Sequence, residues 1–429
     1  MDEVMQGGRS YAFGAMQVWR KLEVQDGLSF GWQVVVFLAA LAAIFSRLPG
    51  ALLHPQFFAE DGWVWYQQAY NLGCLRPLLM TQAGFLQTLP RLVAGVTLLF
   101  PMQWAPLVMN VSSAVVQVLP VTALLSRRCV TWGPLPVRML MGLIYIAIPN
   151  APEVHIVLTN AMWHLAVLQA LLAFSVPPLG WRGRVADIIL LAVGSVSGPL
   201  SMLLLPCVAA YYWIRRQRWT LVVLIVMSLG VCIQIFSLVH SVRHAAAAPL
   251  GATPVILLRI VAGRVFFDSM IGSGDSHLTT PMLALIAIGG VIVLALGWRG
   301  APLAVRLYAV FALIALAASL KDPLLLGNRP RWEVLADVAG IRYWFLPSLM
   351  FLWLAIWAAC GGRTRLVQCI GGAVLLLTMI GVIRKWTYPP WPDSHFQEDV
   401  DRFNTLKPGE PMTFSVYDPG GRKMELIKH

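Results

Sequence analysis

Charge is what this chain has least of. Only 12% of its 429 residues are charged, against about 25% in water-soluble domains, and no lysine occurs between Lys21 and Lys321. With 58% hydrophobic residues and a mean hydropathy of +0.70, this scarcity excludes an ordinary soluble enzyme, a disordered protein and a collagen-like fibre. No shift in composition divides the chain into soluble domains, because long apolar runs recur from residue 31 to residue 384. CxxC spacing is missing too. The six cysteines (Cys74, Cys129, Cys207, Cys232, Cys360, Cys369) lie mostly inside apolar runs and read as small buried hydrophobes. Walker, GxSxG, HExxH and GxGxxG patterns are absent in their proper contexts, which argues against an ATP-driven pump or a soluble-type hydrolase. No cleavable signal peptide is seen: the first apolar run starts near Phe30 and has no small-residue cleavage site behind it. The chain reads as a polytopic membrane protein.

The net charge of +12 and pI near 9.8 do not point to nucleic acid. Basic surfaces for nucleic acid come as stripes on a soluble face, whereas here Arg residues occupy short loops between apolar runs. A transmembrane helix needs roughly 20 apolar residues. Spans are expected near 31–48, 104–126, 137–150, 160–176, 185–198, 199–214, 219–240, 281–298, 303–320, 343–361 and 366–384. The break at Ser197-Gly198-Pro199 is either a tight turn between two short spans or a kink in one bent segment. Loops carrying Arg127, Arg128 and Arg138, then Arg182 and Arg184, then Arg215, Arg216 and Arg218, then Arg299 and Arg306, then Arg363 and Arg365 alternate consistently. They do so if the N-terminus, with Arg9, Arg20 and Lys21, is cytoplasmic. That register requires the run 84–100 to be a half-embedded helix on the outer surface, as Gln87, Pro90 and Arg91 suggest. The expected organisation is a cytoplasmic segment 1–30, a transmembrane module 31–384 with a first outer loop at 49–103, and a short outer tail 385–429.

In this topology the chemistry gathers on one face. Of the acidic residues between 31 and 384 (Glu60, Asp61, Glu153, Asp187, Asp268, Asp275, Asp322, Glu333 and Asp337), all but Asp187 fall in outer segments. His54, His155, His240, His244, His277 and His395 are outer as well, with His164 close to that surface. The first outer loop sets Glu60 and Asp61 among aromatics, where a solvated acidic loop would have Lys, Ser and Asn. Carboxylates in such surroundings mark a site or a pairing, and burial raises a carboxyl toward general-base range. The plainer alternative is that one of them caps the helix starting around Trp63. If the segment is extended, consecutive side chains point opposite ways, so one faces the site and the other orients or caps.

In the second outer loop, Asn150, Glu153, His155, Asn160 and His164 suggest a polar floor for a pocket, or they satisfy the loop itself. A metal held by Glu153, His155 and His164 matches no ligand pattern. Outer arginines (Arg76, Arg91, Arg243, Arg259, Arg264, Arg329, Arg331, Arg342) form the third element, either holding phosphate with their planar forks or snorkelling to headgroups. The segment 254–272 reads as a surface-lying amphipathic helix, in which Arg264 and Asp268 at i,i+4 have the spacing of a pair.

An acidic pair just after the first span, within Phe58-Ala-Glu-Asp-Gly62 and followed by Gly84-Phe-Leu-Gln-Thr-Leu-Pro-Arg91, resembles the bacterial members of the GT-C superfamily of polytopic glycosyltransferases. Further matches are the Ser197-Gly198-Pro199 break, Arg342-Tyr343 at a late span, and the Pro419–Leu426 ending. The resemblance implies an all-α GT-C-like bundle of about 11 transmembrane helices with juxtamembrane helices on the outer face. It implies a bacterial inner-membrane enzyme that takes a sugar from a polyprenyl-phosphate donor to a glycan, lipid or protein acceptor. Asp61 or Glu60 would be the general base, and Arg342 and Tyr343, with Arg329, Arg331 or Arg264, would hold the carrier phosphate. Arg91, Glu153 and His155 are further candidates for substrate contact. Some members need a divalent cation, for which this sequence offers no convincing ligand set. The competing readings are a transporter or flippase of lipid-linked sugars, or a membrane glycan polymerase or ligase. Transporters place ionisable groups near the midplane of repeated halves, and the spans here have almost none.

Overall fold

The computed structural model describes residues 27–241, 248–273, 275–325, 328–337, 340–418 and 420–429. Arg9, Arg20, Lys21, Arg243, His244, Pro419 and the Asp275 side chain lie outside the described residues. The described chain is mostly helical. Its strands form two antiparallel pairs, Thr81–Gln82 with Phe85–Leu86 and Pro411–Phe414 with Met424–Ile427.

Among the described residues seven helices are long and apolar enough to cross a membrane: Phe30–Arg47, Met102–Leu125, Arg218–His240, Thr280–Gly300, Leu303–Lys321, Ile341–Gly361 and Arg365–Arg384. The other four expected spans are also helices: Leu135–Ala147, Ala161–Ala173, Trp181–Ser195 and Leu200–Arg215. At 1.5 Å per residue they reach only about 20–24 Å, short of a ~30 Å hydrocarbon core. Among the long helices, burial is inverted relative to a soluble protein. Ile341–Gly361 is the central post, whereas Thr280–Gly300 and Arg365–Arg384 turn Leu285, Ile288, Leu376, Met379 and Ile383 outward. Such all-round apolarity belongs to helices surrounded by lipid on one side and protein on the other. Helices approach closely where glycine removes the side chain. A Cβ at Gly297 would run into the Leu354 carbonyl, and one at Gly381 into the Met270 carbonyl.

The loops sort into two ends. At one end Leu28 N–H donates to Leu125 O, Val176 N–H donates to Arg128 O, Arg128 pairs with Asp187, Gly133 lies against Trp357 and Gly300 against Gly361. At the other, loop-rich end, Leu86 and Thr88 bond with Gly198 and Val196, Arg331 and Trp332 bond with Pro249 and Leu250, and Tyr388 bonds with Arg47. The arginine-bearing short loops thus share one end, and most of the polar loops share the opposite one. Ser197-Gly198-Pro199 is a tight turn between two helices, with Gly198 at φ +104°. Within 84–100 the helix is Thr88–Thr97, ten residues or about 15 Å, too short to span.

Two expectations change. The segment 254–272 is not simply surface-lying: Pro254–Leu258, Arg259–Phe267 and Asp268–Ile271 run on as one helical stretch wedged against Thr280–Gly300, Ile341–Gly361 and Arg365–Arg384, burying Ile260, Ala262, Val265 and Phe266. Nor are Glu60 and Asp61 on an extended segment. After Ala59, at φ +44°, the chain turns directly into the helical stretch Asp61–Leu72.

The tail 385–429 is a strap across the first loop. Phe58 pairs in parallel with Tyr417, and Ala59 N–H donates to Tyr417 O at 2.8 Å. Asn71 and Gln67 bond with the Met424–Ile427 strand. Phe396, Val400, Phe403, Phe414, Met424 and Leu426 form with Phe57, Val64, Trp65 and Tyr66 a second apolar core, separate from that of the helix bundle.

Candidate functional site

The two adjacent carboxylates have opposite fates. Asp61 is 1% exposed. One of its oxygens accepts from Leu158 N–H at 3.1 Å and the other from Thr159 N–H at 2.8 Å. It therefore caps the 3₁₀ turn Leu158–Asn160 of the second loop, rather than the helix it begins. Trp65 locks the same joint by donating Nε1–H to Thr159 Oγ1 at 2.6 Å. Burial raises the Asp61 carboxyl to about 7, against the opposing pull of its hydrogen bonds from Thr159 and Leu158.

Glu60, one residue earlier, keeps a side chain 24% exposed and accepts no hydrogen bond among the described residues. Its neighbour is a tail residue, Arg422, with Nη2 at 3.7 Å. Arg422 is firmly held: Nε and Nη2 donate to the Asp418 carboxylate at 2.9 and 2.8 Å, and its guanidinium lies 4.1 Å from the Trp63 ring centroid. Burial alone would raise Asp418, but hydrogen bonds from the Arg422 side chain and backbone hold it below the usual carboxylate range.

Glu60 also lies within electrostatic reach of Arg342. Arg342 begins the central Ile341–Gly361 helix, whose amino end is capped by Glu153. Glu153 Oε1 accepts from Gly340 N–H at 3.1 Å, and Oε2 accepts from Arg342 Nη1 at 3.0 Å and from Arg342 N–H. A carboxylate at a helix start satisfies orphan N–H groups and the helix dipole together. Arg342 stacks on Tyr343, whose hydroxyl accepts from Leu324 N–H at 2.9 Å, and Arg342 Nη2 donates to Leu324 O. The first loop, the second loop, the head of the central helix and the tail therefore converge around Glu60.

The remaining candidates are placed less favourably for contact with a ligand. Arg264 is buried in its pair with Asp268 at 3.0 Å and donates to Ala336 O. Arg329 pairs with Asp337, and Arg331 with Asp322. Arg91 is 1% exposed, stacked on Trp65 and donating to Gln68 Oε1 at 2.6 Å, so it braces the loop. His155 is 1% exposed and both ring nitrogens are occupied, Nε2 against Ile44 O at 2.8 Å and Nδ1 against Gln117 at 3.1 Å. Burial pushes it well below the ordinary imidazole range, so it is a neutral ring with Nε2–H donating to Ile44 O and Nδ1 accepting from Gln117. Glu153 and His155 thus serve other partners, as does His164, which bonds Tyr145 and Val154 O. Among the described residues no cluster of three or more His, Cys, Asp or Glu forms a metal site.

Sequence reasoning passed over Arg422, Asp418 and Trp63. The one signal for Arg422 was its place in the turn-rich tail motif, 362 residues from the carboxylate it meets. No protein-family model, no curated protein and no solved structure matches the chain.

Proposed function

We propose that the chain is a GT-C-type integral-membrane glycosyltransferase with eleven spans, its N-terminus cytoplasmic and its loop-rich end outside a bacterial inner membrane. It moves a sugar from a polyprenyl-phosphate carrier to a hydroxyl of a glycan, lipid or protein acceptor. The observation that carries this reading is Glu60: a partly exposed carboxylate without a hydrogen bond among the described residues, 3.7 Å from Arg422 and within electrostatic reach of Arg342, each of which is already anchored by another acid. Glu60 accepts the acceptor's hydroxyl proton as the oxygen attacks the anomeric carbon. The bond from that carbon to the carrier's phosphate oxygen breaks, and the electron pair leaves on the phosphate, whose charge Arg342 offsets. A phosphate is a good leaving group, so one base and one cationic clamp are sufficient, unlike the two flanking carboxylates of glycosidases. Asp61 is the scaffold of this site and clips the second loop to the first.

Purified protein in lipid, given polyprenyl-phosphate sugars and candidate acceptors, tests the reading. Glu60→Gln, if its melting matches wild type, should lose about 100-fold or more in turnover, as expected for a missing general base. Full activity in that variant would remove Glu60 from the role, and a folded but inactive Asp61→Asn would transfer it to Asp61. Movement of lipid-linked sugar across vesicles by wild type, without transfer, would put the flippase reading in its place.

A further inference from the structure

The arginines of the loop-rich end differ in what they leave available. Arg264 and Arg331 have side chains 9% and 14% exposed, and Arg329, although exposed, is paired with Asp337. Arg422 is 36% exposed. Its planar guanidinium has five N–H donors. The edge formed by Nε and Nη2 is spent on Asp418, one face lies on Trp63, and Nη2 leans toward Glu60. Nη1 makes no hydrogen bond among the described residues. Beneath it, the buried indole Nε1–H of Trp63 has no partner there either.

Asp418 and Trp63 therefore fix the orientation of a cationic fork while leaving its outer edge open. Such pre-organisation favours a bidentate oxyanion, because the ordering entropy has been spent in folding. The fork cannot drift from Glu60, since the Phe58–Tyr417 pairing clamps the tail to the first loop one residue before Asp418 begins the turn. Close packing of Gly62 against Val416 closes the same joint, where a Cβ on Gly62 would come within 2.7 Å of the Val416 side chain.

We propose that Arg422 is a substrate-binding residue supplied by the tail: it rests against Glu60 when no donor is bound and takes an oxygen of the donor's phosphate on its open Nη1 edge, beside Arg342. The inference rests on the glycosyl-transfer reading. It makes the tail part of the site, and it gives the donor phosphate two cationic contacts from chain segments 80 residues apart.

The test is donor titration at fixed acceptor with wild type, Arg422→Gln, Arg422→Lys and Asp418→Asn, alongside direct binding of polyprenyl phosphate without sugar. Arg422→Gln should raise the donor KM and the Kd for polyprenyl phosphate about tenfold, the loss of one charge-assisted contact, and leave the acceptor KM unchanged. Arg422→Lys should recover part of the loss, because it restores the charge without the fork. Asp418→Asn should fall between wild type and Arg422→Gln. An unchanged donor KM and polyprenyl-phosphate Kd in folded Arg422→Gln, with wild type active, would overturn the role of Arg422 alone. Equal loss in Arg422→Gln and Arg422→Lys, with acceptor and donor KM rising together, would make the residue a structural brace and also overturn it. Wild type that neither binds polyprenyl phosphate nor turns over donor would overturn the underlying reading instead.

Discussion

Asp61 and Glu60 are neighbours in sequence with nearly identical chemistry, yet the fold spends one on architecture and leaves the other facing outward. At Asp61 desolvation outweighs the hydrogen bonds it accepts, so its carboxyl titrates near 7 rather than near 3.8. The sign of the consequence follows from linkage. Between those values the folded chain holds a proton that the unfolded chain has released, so stability falls as pH rises from about 4 to about 7 and is level above. The full effect is about 4 kcal/mol, at 1.36 kcal/mol per pKa unit. Asp61→Asn removes the titration but sets an amide N–H against one of the backbone donors, costing about 1–2 kcal/mol. Wild type should therefore melt above Asp61→Asn at pH 4 and lose that advantage by pH 7. A melting difference that stays constant across this range would contradict the assignment. Arg47 shows the same use of a charged residue for building. Its guanidinium, 1% exposed, donates to the carbonyls of Ile146, Ile148 and Trp386 and stacks on Tyr388 at 4.3 Å.

Among the elements, the central Ile341–Gly361 helix decides how the rest is arranged. Its glycine-lined neighbours approach backbone to backbone, and its amino end carries Arg342 into the site. Gly297, on Thr280–Gly300, faces the Leu354 carbonyl of the central helix, and Gly381, on Arg365–Arg384, faces the Met270 carbonyl of the neighbouring Asp268–Ile271 helical turn. Neither carbonyl is the end of a flexible side chain that could swing aside. Gly297→Val or Gly381→Val should therefore force the helices apart and cost about 1–3 kcal/mol or more of stability, read as a lower melting temperature in detergent. A control, Gly372→Val, where an added Cβ meets nothing, should cost no more than the helix propensity of valine. The hydropathy of these helices was plain in the sequence, and each of the eleven apolar runs is a helix. Their lengths were less plain: Leu135–Ala147 and Ala161–Ala173 stop at 13 residues because the following loops turn polar and irregular at Asn150 and Ser175. A composition window reads short helices among buried neighbours as longer than they are.

For the whole molecule, the partition of loops into two ends makes orientation testable with the chain's own cysteines. Cys74 is exposed in the first loop at the loop-rich end, and Cys360 is exposed in the last turn of the central helix at the other. With all other cysteines replaced, a membrane-impermeant maleimide applied to intact spheroplasts should label Cys74 and spare Cys360, with the reverse in inside-out vesicles. Labelling of Cys360 alone in spheroplasts would invert the proposed orientation and move Glu60 to the cytoplasm.

Scarce charge and recurring apolar runs made a helical membrane protein inevitable, since backbone polar groups in lipid must be satisfied within the segment. The same local patterns marked Glu60 and Asp61 as unusual and gathered the acids of the module toward one end. They did not say which carboxylate is accessible, that Glu153 caps the central helix, that His155 is sealed in, or that the tail reaches the first loop. Each of those facts depends on residues about 100 to 360 positions apart: Asp61 with Thr159, Glu153 with Arg342, His155 with Ile44, Glu60 with Arg422. Hydropathy and periodicity report which way a segment's surface must face, because burial acts on each residue locally. Which two charged side chains meet is settled only when distant segments pack, since an ion pair's energy depends on distance and solvent exclusion that no single segment possesses.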